Sequence, residues 1–571
     1  MSSCYRLTAA VISLALLALT ACEQREPQPS KTQASPSASS ARTPSSNPGD
    51  GAARIEADLR KLADDAMQGR EAGTAGYDKA AEYVAQRMRA LGLQPAGANG
   101  SYFQQVPLLK AKRQQAGARL AVLHPGRNVE LRFKDQFLPA PNYHTPLSEV
   151  TAPAVFIGYG VFAPQFDHDD FSGQDLKGKI AVLFTGAPAC LGHGPRAVHG
   201  DTAEKLRLLV AHGAVGAVFV YTAQDEARYA WSRIANAWDK PSMRLRGADG
   251  KAIDSFAQLK VVASVSAAAA DTLFQGSGRF AAELAKQAQS SDFKGFALPV
   301  QLALAARTQV EPIYSRNVLG RLPGRDASLA AEHLVYSAHL DHVGVGAPVK
   351  GDSIYNGAMD NALGVAILLE VARELSAAKP APKRSLVFAA VTAEEQGLLG
   401  ARWLVAQPTL SGPIVANINL DMPVLLAPST DVIAIGVDHS SLKRAVDSAA
   451  KTIGVDLSPD PFPEEAVFVR SDQYPFIRAG IPALYLVGGT VSADGERDPK
   501  RALTQFLREH YHKPSDQADL PIVYGDAARL ARLSARIGAL VSNEAQRPEW
   551  NPGDFFGERF AKTASAEKTA Q

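Results

Sequence analysis

Histidine and acidic side chains follow several apolar runs in the second half of this 571-residue chain. They stand where a predicted strand ends or a predicted helix begins, and they are His339, Asp360, Glu394, Glu395, Asp421 and His512, with Asp341 and Asp516 close by. Imidazole nitrogens and carboxylate oxygens are ligands for divalent metal ions, and no thiolate joins the set. The pattern predicts a metal site, with zinc as the first candidate.

Each of these residues has an ordinary structural explanation when it is taken alone. His339 can be a buried histidine with a hydrogen-bond partner, and Asp360 can be a helix N-cap. Five ionisable groups that end buried strands together would repel one another and lose their hydration unless cations hold them. The occurrence of all these groups together favours a metal centre over a separate structural role for each residue.

The segment that carries these residues alternates apolar strand runs with amphipathic helices. From about Asn317 to Ala545 the runs HLVYSA, ALGVAILLEVARELSA, SLVFAAVTA, LLGARWLVAQ, IVANINL and PALYLVGG are separated by short polar breaks. This alternation predicts an α/β fold with a mostly parallel, doubly wound sheet covered by helices on both faces. In such sheets reacting groups gather at the carboxyl ends of the strands.

Residues 141–295 have a different pattern of apolar and polar runs, which predicts an inserted α/β module. Strand-like runs such as IAVLFTG and AVGAVFVYT flank a helix-like segment from Asp201 to His212. The main domain is then split into an N-terminal part, 51–140, and a metal-binding part, 296–545. The N-terminal part opens with a predicted helical stretch from Ala52 to Leu93.

Five motifs, in order along the chain, resemble those of the M28 family of metallopeptidases, the two-zinc aminopeptidases. They are SAHLDH, NGAMDNALG, TAEEQGLLG, NINLDM and HYHKPSD. The inserted module resembles the protease-associated (PA) domain that some members carry. The resemblance implies a zinc exopeptidase-like (phosphorylase/hydrolase-like) fold, two zinc ions per chain and a peptide or protein substrate.

The resemblance also assigns the ligands residue by residue. It implies that His339 and Asp421 bind one zinc ion, that Glu395 and His512 bind the other, and that Asp360 bridges both. It further implies a cis peptide bond after the bridging aspartate.

Glu394 and Tyr511 are the predicted catalytic residues. Adjacent residues at a strand end point in different directions, so Glu394 is free to act as general base for a hydroxide that bridges the two zinc ions. Tyr511 is either a hydroxyl donor to the oxyanion or a packing tyrosine. Asp341 is expected to hold the far ring nitrogen of His339, and Asp516 to hold His512 or a loop amide.

Aminopeptidase action is the leading prediction, because a site rich in carboxylates accepts a free α-ammonium group. Glutaminyl cyclase action with one zinc ion is an alternative, and so is carboxypeptidase action with Arg470 and Arg478 as candidate cations. Non-catalytic peptide binding through the insert is a third, although Glu394 argues against it. The chain lacks a GxSxG nucleophile elbow, and Cys190 lies outside the catalytic half.

Four further histidines stand near the motifs without matching a family position. They are His333, His342, His439 and His510, and we interpret them as surface or packing residues.

The N-terminal fifty residues predict export and a lipid anchor. Residues 1–21 are typical of a lipoprotein signal peptide, Cys22 ends a lipobox-like LTAC, and 22–50 is typical of a disordered tether. The expected location is the cell envelope, lipid-anchored in the outer membrane and facing the periplasm or the exterior, with secretion as the alternative. The membrane is reached through the lipid anchor alone.

Charge and composition narrow the class of partner. Sixty basic against 58 acidic residues give a formal charge of +2, which predicts no nucleic-acid binding. Residues 546–571 form a polar C-terminal tail with four aromatic side chains, and the oligomeric state stays open.

Overall fold

The computed structural model describes residues 51–561. The predicted signal peptide, Cys22, the tether and residues 562–571 lie outside this range. Within it, we find no helix with the length and apolar character needed to cross a bilayer.

Helices and strands alternate along most of the described chain. The α-helices of residues 51–561 are α1 Gly51–Leu62, α2 Ala75–Ala90, α3 His193–Gly200, α4 Thr202–Ala211, α5 Ala223–Arg228, α6 Trp231–Asn236, α7 Ala270–Phe274, α8 Ala281–Gln287, α9 Leu363–Ala377, α10 Leu399–Ala406, α11 Leu442–Ile453, α12 Gln473–Arg478, α13 Pro499–Glu509 and α14 Tyr524–Asn543. The strands are β1 Gln94–Pro95, β2 Phe103–His124, β3 Arg127–Glu130, β4 Phe137–Pro139, β5 Leu147–Phe156, β6 Phe162–Ala163, β7 His168–Asp169, β8 Ile180–Phe184, β9 Gly216–Val220, β10 Ser242–Leu245, β11 Val261–Val265, β12 Phe296–Leu322, β13 His333–His339, β14 Val345–Val349, β15 Asp352–Ile354, β16 Ser385–Val391, β17 Ile414–Asn419, β18 Asp431–Ile435, β19 Asp456–Ser458 and β20 Ala483–Gly488.

The metal-binding half is built on strands in the order β19-β18-β20-β17-β13-β16-β12. Strands β20, β17, β13 and β16 run parallel, and β12 joins β16 in the antiparallel sense. Side chains of β13 alternate between two cores: Leu334 and Tyr336 belong to the core formed with α9 and α14, and Val335 belongs to the core formed with α10 and α12. Helices therefore cover both faces, which confirms the predicted doubly wound α/β fold.

The inserted module continues the same sheet from β12 through β5-β8-β9-β11-β4. Strands β5, β8, β9 and β11 are parallel to one another. The long strands β2 and β12 pair antiparallel and run from one half into the other. Leu120, Phe137 and Leu302 lie in the core of the insert, so its structural extent runs past 141–295 on both sides.

The predicted helical stretch from Ala52 to Leu93 is two helices, α1 and α2, separated by a tight loop. Gln68, Gly69 and Arg70 adopt left-handed conformations in this loop, with φ values of 50°, 62° and 50°. Thr74 then caps α2 by accepting a hydrogen bond from the amide of Tyr77. The prediction of one helical stretch was wrong, because the apolar pattern of the sequence gives no sign of the left-handed loop between α1 and α2.

The C-terminal segment packs where the insert meets the metal-binding half. Phe556 is buried against Phe468 of the metal-binding half, and Val198 of the insert belongs to the same cluster. The indole of Trp550 donates to the carbonyl of Gly480 at 2.8 Å. This aromatic segment joins the two halves.

Candidate metal centre

The carboxyl edge of the parallel strands brings the predicted ligands together. His339 is the last residue of β13, Asp421 stands two residues after β17, and Glu395 follows β16 after a short turn. Asp360 precedes α9, and His512 follows α13. Parallel strands end at the same edge of a sheet, so residues that are distant in sequence meet there.

Asp360 stands between two groups of ligands. Its Oδ1 lies 3.3 Å from Nε2 of His339, which in turn lies 2.9 Å from Oδ1 of Asp421. Its Oδ2 lies 3.2 Å from Nε2 of His512, which lies 3.0 Å from Oε2 of Glu395. One carboxylate therefore faces one ligand group with each oxygen, as the predicted bridging role requires.

His342 lies beside the second ligand group. Its side chain is fully buried, and Nδ1 lies 2.9 Å from Oε1 of Glu395 and 3.7 Å from Oδ2 of Asp360. We interpreted this histidine as a surface or packing residue; it is buried rather than on the surface, and its contacts with two predicted ligands were not expected. The motif HLDH contained the signal, but strand alternation does not extend past the end of β13 and so does not predict where the ring points.

The other three histidines that we interpreted in the same way have structural contacts. His333 is buried beside the carbonyl of Ser411, and the ring of His439 stacks on Phe468. Nδ1 of His510 contacts the carbonyl of Ser515 at 3.0 Å.

Asp516 holds the backbone that carries Asp360. Its two carboxylate oxygens accept hydrogen bonds from the amides of Met359 at 2.8 Å and Asp360 at 3.1 Å. Of the two predicted partners of Asp516, His512 or a loop amide, the structure has the amide. The peptide bond between Asp360 and Asn361 is cis, as the family resemblance implied.

Asp341 supports the site differently from the prediction. Its carboxylate accepts hydrogen bonds from the amides of Glu394 at 3.1 Å and Glu395 at 3.3 Å, so it orders the turn after β16. The far nitrogen of His339 contacts the main-chain carbonyl of Asp341 at 3.1 Å, whereas the carboxylate is 4.0 Å away. The carbonyl thus replaces the expected carboxylate because the side chain turns toward the neighbouring loop.

Opposite charges in the cluster shift the ionisation of its members. Burial alone would raise the pKa of Asp360, but the neighbouring imidazoles hold it well below its usual range. Burial and Asp360 also work against ionised Glu395, yet contacts with His512 and His342 lower its pKa to about 2. Burial disfavours charged His512, while Glu395 and Asp360 raise its pKa to about 10. Asp360 and Glu395 are therefore ionised at neutral pH, which is the state in which a carboxylate binds metal.

The donor set fits divalent ions with zinc chemistry. Nε2 of His512, Oε1 of Glu395 and both ring nitrogens of His342 are buried and have no hydrogen-bond partner among residues 51–561. Buried polar atoms are costly to leave unpaired, so convergent unpaired donors indicate a cation-binding site. Nitrogen and carboxylate donors without sulfur match the zinc sites of hydrolytic enzymes.

Glu394 lines the same cleft without joining either ligand group. Burial is the main cause that raises its pKa well above the usual range. Asp421 and Asp472 add to this effect, and His339 opposes it. A carboxylate with a raised pKa is a better proton acceptor.

Asp472 and Arg70 are buried charged residues to which our sequence analysis assigned no role at the site. Asp472 is fully buried, and neither of its carboxylate oxygens has a hydrogen-bond partner among the described residues. Arg70 donates to the carbonyls of Leu340 at 2.9 Å and Gly357 at 2.9 Å, so it ties the loop after β13 to the loop before Asp360. Asp472 carries no spacing signal. Arg70 lies in the stretch MQGR, which resembles the M28 family without indicating a role at the site.

Tyr511 also lines the cleft, and its ring stacks on His512 with centroids 3.9 Å apart. Burial raises its pKa, so the phenol keeps its proton and can donate a hydrogen bond. The structure therefore accommodates both predicted roles, hydroxyl donor and packing residue.

A cavity of about 280 Å³ opens beside the ligands. Apolar side chains form much of its wall, and they are Met422, Val424, Ile433, Ile435, Phe462, Val467, Val487, Leu503 and Leu507. Glu465 and Arg470 also line it and form an ion pair at 2.9 Å. Arg228 of the insert contacts Glu465 at 2.6 Å, so the insert adjoins this cleft.

Fold and site together define the class: an α/β protein with two adjacent groups of metal ligands at the carboxyl edge of a parallel sheet. Residues 317–537 match the model of Peptidase family M28, which supports the family resemblance over the metal-binding half.

Known proteins resemble this chain in fold or in sequence. The solved structure of the aminopeptidase from Aneurinibacillus sp. strain AM-1 aligns with 88% of this chain and 98% of its own, at 21% identity and a TM-score of 0.51. Aminopeptidase NAALADL1 of Mus musculus is 25% identical in an alignment of 331 residues, and the match covers 50% of this chain and 41% of that protein. A probable zinc metalloprotease of Pyrenophora tritici-repentis is 49% identical over 67 residues, 12% of this chain and 15% of that protein. The chain thus spans less than half the length of these two curated relatives.

Proposed function

We propose that this chain is a zinc-dependent aminopeptidase that uses two metal ions and a glutamate general base. The observation that carries the proposal is the position of Asp360, whose two oxygens face separate ligand groups at 3.3 and 3.2 Å. Two divalent ions bound there would polarise the scissile carbonyl and make an attacking water more acidic. The relatives described as aminopeptidases and a zinc metalloprotease support the same reaction class.

In this proposal Glu394 accepts the proton of the attacking water and returns it to the leaving amine. Its carboxylate faces the cleft while Asp341 fixes the backbone amides of Glu394 and Glu395. The adjacent Glu395 serves as ligand, so the two side chains divide the work of proton transfer and ion binding. Tyr511 donates its hydroxyl to the oxygen on which negative charge develops.

The walls of the cleft support recognition of an N-terminal residue with an apolar side chain. Six carboxylates, those of Asp360, Glu394, Glu395, Asp421, Asp460 and Glu465, line it against the guanidinium of Arg470. The proposed ions would neutralise Asp360, Glu395 and Asp421, and Glu465 is paired with Arg470. Glu394 and Asp460 are therefore left to face a free α-ammonium group, and the apolar wall suits a large side chain beside it.

Carboxypeptidase action has less support than aminopeptidase action. The two candidate cations already have anionic partners: Arg470 is paired with Glu465 and Arg478 with Glu204, each at 2.9 Å. Glutaminyl cyclase action needs one ion, whereas two ligand groups are present here. Peptide binding without catalysis gives no role to Glu394.

Parallel assays of leucyl and N-acetyl-leucyl chromogenic amides test the proposal, together with zinc analysis of the purified protein. We expect cleavage of the free-amine substrate alone and two zinc ions per chain. Equal cleavage of both substrates would contradict aminopeptidase action. One zinc ion with cyclase activity on N-terminal glutamine would favour the cyclase alternative.

For the cell, we propose from the sequence alone an envelope protein that is lipid-anchored at Cys22 and acts on peptides or proteins. We likewise propose that the insert is a PA domain. Palmitate labelling of cells that express the wild type or Cys22→Ser tests the anchor. We expect label on the wild-type protein only, and label on both would contradict acylation at Cys22.

A further inference from the structure

The two ligand groups around Asp360 are unequal. One group offers four donors, from His342, Asp360, Glu395 and His512, and we call it the four-donor position. The other offers three, from His339, Asp360 and Asp421, and we call it the three-donor position. The M28 resemblance implies two terminal ligands for each ion, so His342 is an addition to that set.

The orientation of the donors at the four-donor position indicates a common target. Nδ1 of His342 lies 2.9 Å from Oε1 of Glu395, yet neither atom makes a hydrogen bond within residues 51–561. Nε2 of His512 behaves in the same way, at 3.0 Å from Oε2 of Glu395. These atoms are close but do not point at one another, as expected of donors directed at a third point between them.

The separations also fit one shared ion. Zinc with bonds of 2.0–2.1 Å and tetrahedral angles separates its donors by about 3.3 Å. The contacts of His342, Glu395, His512 and Asp360 range from 2.9 to 3.7 Å around that value. The amide of His342 donates to the carbonyl of Arg70 at 3.2 Å, so the fully buried Arg70 anchors the loop that carries this ring.

The three-donor position has a different arrangement. Nε2 of His339 and Oδ1 of Asp421 are aligned in a hydrogen bond at 2.9 Å, and Oδ2 of Asp421 accepts from the hydroxyl of Ser471 at 2.6 Å. No fourth histidine or acid joins this group among the described residues. Tetrahedral sites closed by four protein ligands are typical of structural ions, whereas three ligands leave one position open.

We propose that His342 is a metal ligand, and that the four-donor position therefore binds its ion first and retains it, while the three-donor position exchanges its ion and keeps a free coordination position. This inference rests on the proposed pair of metal ions. It adds an order of loading and a sixth ligand to that proposal.

Competition with a chelator tests it on the full-length protein. The zinc-loaded wild type is dialysed against increasing dipicolinate, and the zinc that remains is counted by mass spectrometry. We expect two release steps of one ion each. In His342→Phe, which keeps a ring but removes both nitrogens, we expect the tighter step to move to lower chelator concentration by about 100-fold or more, since even residues behind a ligand change metal affinity 10- to 100-fold.

Two matched variants separate the positions. Asp421→Asn is expected to weaken the looser step and leave the tighter one in place. His510→Ala removes another histidine near the metal-binding loop that contacts Ser515 rather than the ligands, and it should release both ions as the wild type does.

Cobalt spectroscopy gives a readout that does not depend on release. The visible spectrum of the first Co²⁺ equivalent should change in His342→Phe and stay as in the wild type in Asp421→Asn. If circular dichroism shows that His342→Phe is unfolded, His342→Asn is used in its place. If Nδ1 of His342 is a ligand, the amide of the asparagine should restore part of the affinity for the ion.

The outcomes distinguish this inference from the proposed function. Identical release curves and cobalt spectra for the wild type and the folded His342 variants would overturn the role of His342 while two zinc ions still bind. A wild type that binds no zinc would overturn the proposed function as well. A tighter step that responds to Asp421→Asn instead of His342→Phe would reverse the proposed order.

Discussion

The metal-binding half and the insert have similar sheet edges, but the residues at the two edges differ in their chemistry. In both, parallel strands end at one edge and a cavity opens there, about 280 Å³ beside the ligands and about 900 Å³ in the insert. The insert edge presents Tyr159, Phe184, Tyr221 and Thr222, and no group of metal ligands forms there among the described residues. The size of a cavity therefore does not indicate the functional site, since the candidate metal ligands lie beside the smaller of the two cavities.

The strongest test of this contrast is Glu394→Gln. The substitution keeps the shape of the side chain and removes the proton acceptor, so we expect turnover to fall by about 10²–10⁴-fold with both zinc ions retained. Steady-state kinetics and zinc analysis measure the two effects. Lys286→Ala, at the cavity of the insert, should change turnover by less than about 2-fold.

An unchanged rate in Glu394→Gln would show that the base is elsewhere. A comparable loss in Lys286→Ala would show that the cavity of the insert takes part in the reaction and would break the contrast.

Substrate preference should depend on the apolar wall beside the ligands. Ile435→Ala removes apolar contact area from this wall, so we expect kcat/KM for a leucyl substrate to fall by about 10-fold and that for an alanyl substrate to change much less. Paired assays of the two amides measure the ratio. Val491→Ala, an exposed valine that does not line the cleft, is the matched control. Equal losses with both substrates would mean that Ile435 acts on stability alone.

The insert holds a buried charge with a structural role. Lys205 donates to the carbonyl of Phe184 at 3.1 Å and to that of Gly186, and burial lowers its pKa to about 7 although nearby aspartates oppose the shift. An unfolded lysine keeps its proton to about pH 10.5, so the unfolded state binds more protons between pH 7 and 10.5 and stability rises with pH across this range.

Lys205→Met removes this dependence. The melting temperature of the wild type relative to Lys205→Met should therefore rise from pH 7 to pH 10, and calorimetry measures it. At pH 7.5 kcat/KM should stay within about 2-fold of the wild type. A constant difference in melting temperature would refute the lowered pKa of Lys205.

Of the changes proposed here, loss of the ion pair between Arg228 of the insert and Glu465 of the cleft should have the smallest effect on the protein. Arg228 and Glu465 are 51% and 40% exposed, and exposed ion pairs contribute about 0.2–1 kcal/mol. We expect Arg228→Ala to raise KM by less than about 5-fold without changing kcat, and high salt to reduce the difference. A large fall in kcat would show that the insert controls the reacting groups themselves.

Apolar periodicity and sequence motifs predicted more of the structure of the metal-binding half than of the loops and helices around it. Buried strand runs predicted the doubly wound sheet, and the ends of these runs indicated the ligands, because a parallel sheet orders its carboxyl ends at one edge. The interruption between α1 and α2 was missed, since the left-handed turn at Gln68 to Arg70 leaves no apolar pattern. The role of His342 was missed because the residue lies past the end of β13, where the two-residue alternation no longer applies.

The order of histidines, aspartates and glutamates along the chain determined which residue types meet at the metal centre, because their spacing follows the ends of buried strands. Tertiary structure alone decided that Asp360 faces both ligand groups, that His342 joins one of them, and that Arg70 and Asp516 hold the loops between them. These are properties of loop backbone and long-range hydrogen bonds. No local sequence pattern encodes them, since each partner is supplied by a distant part of the chain.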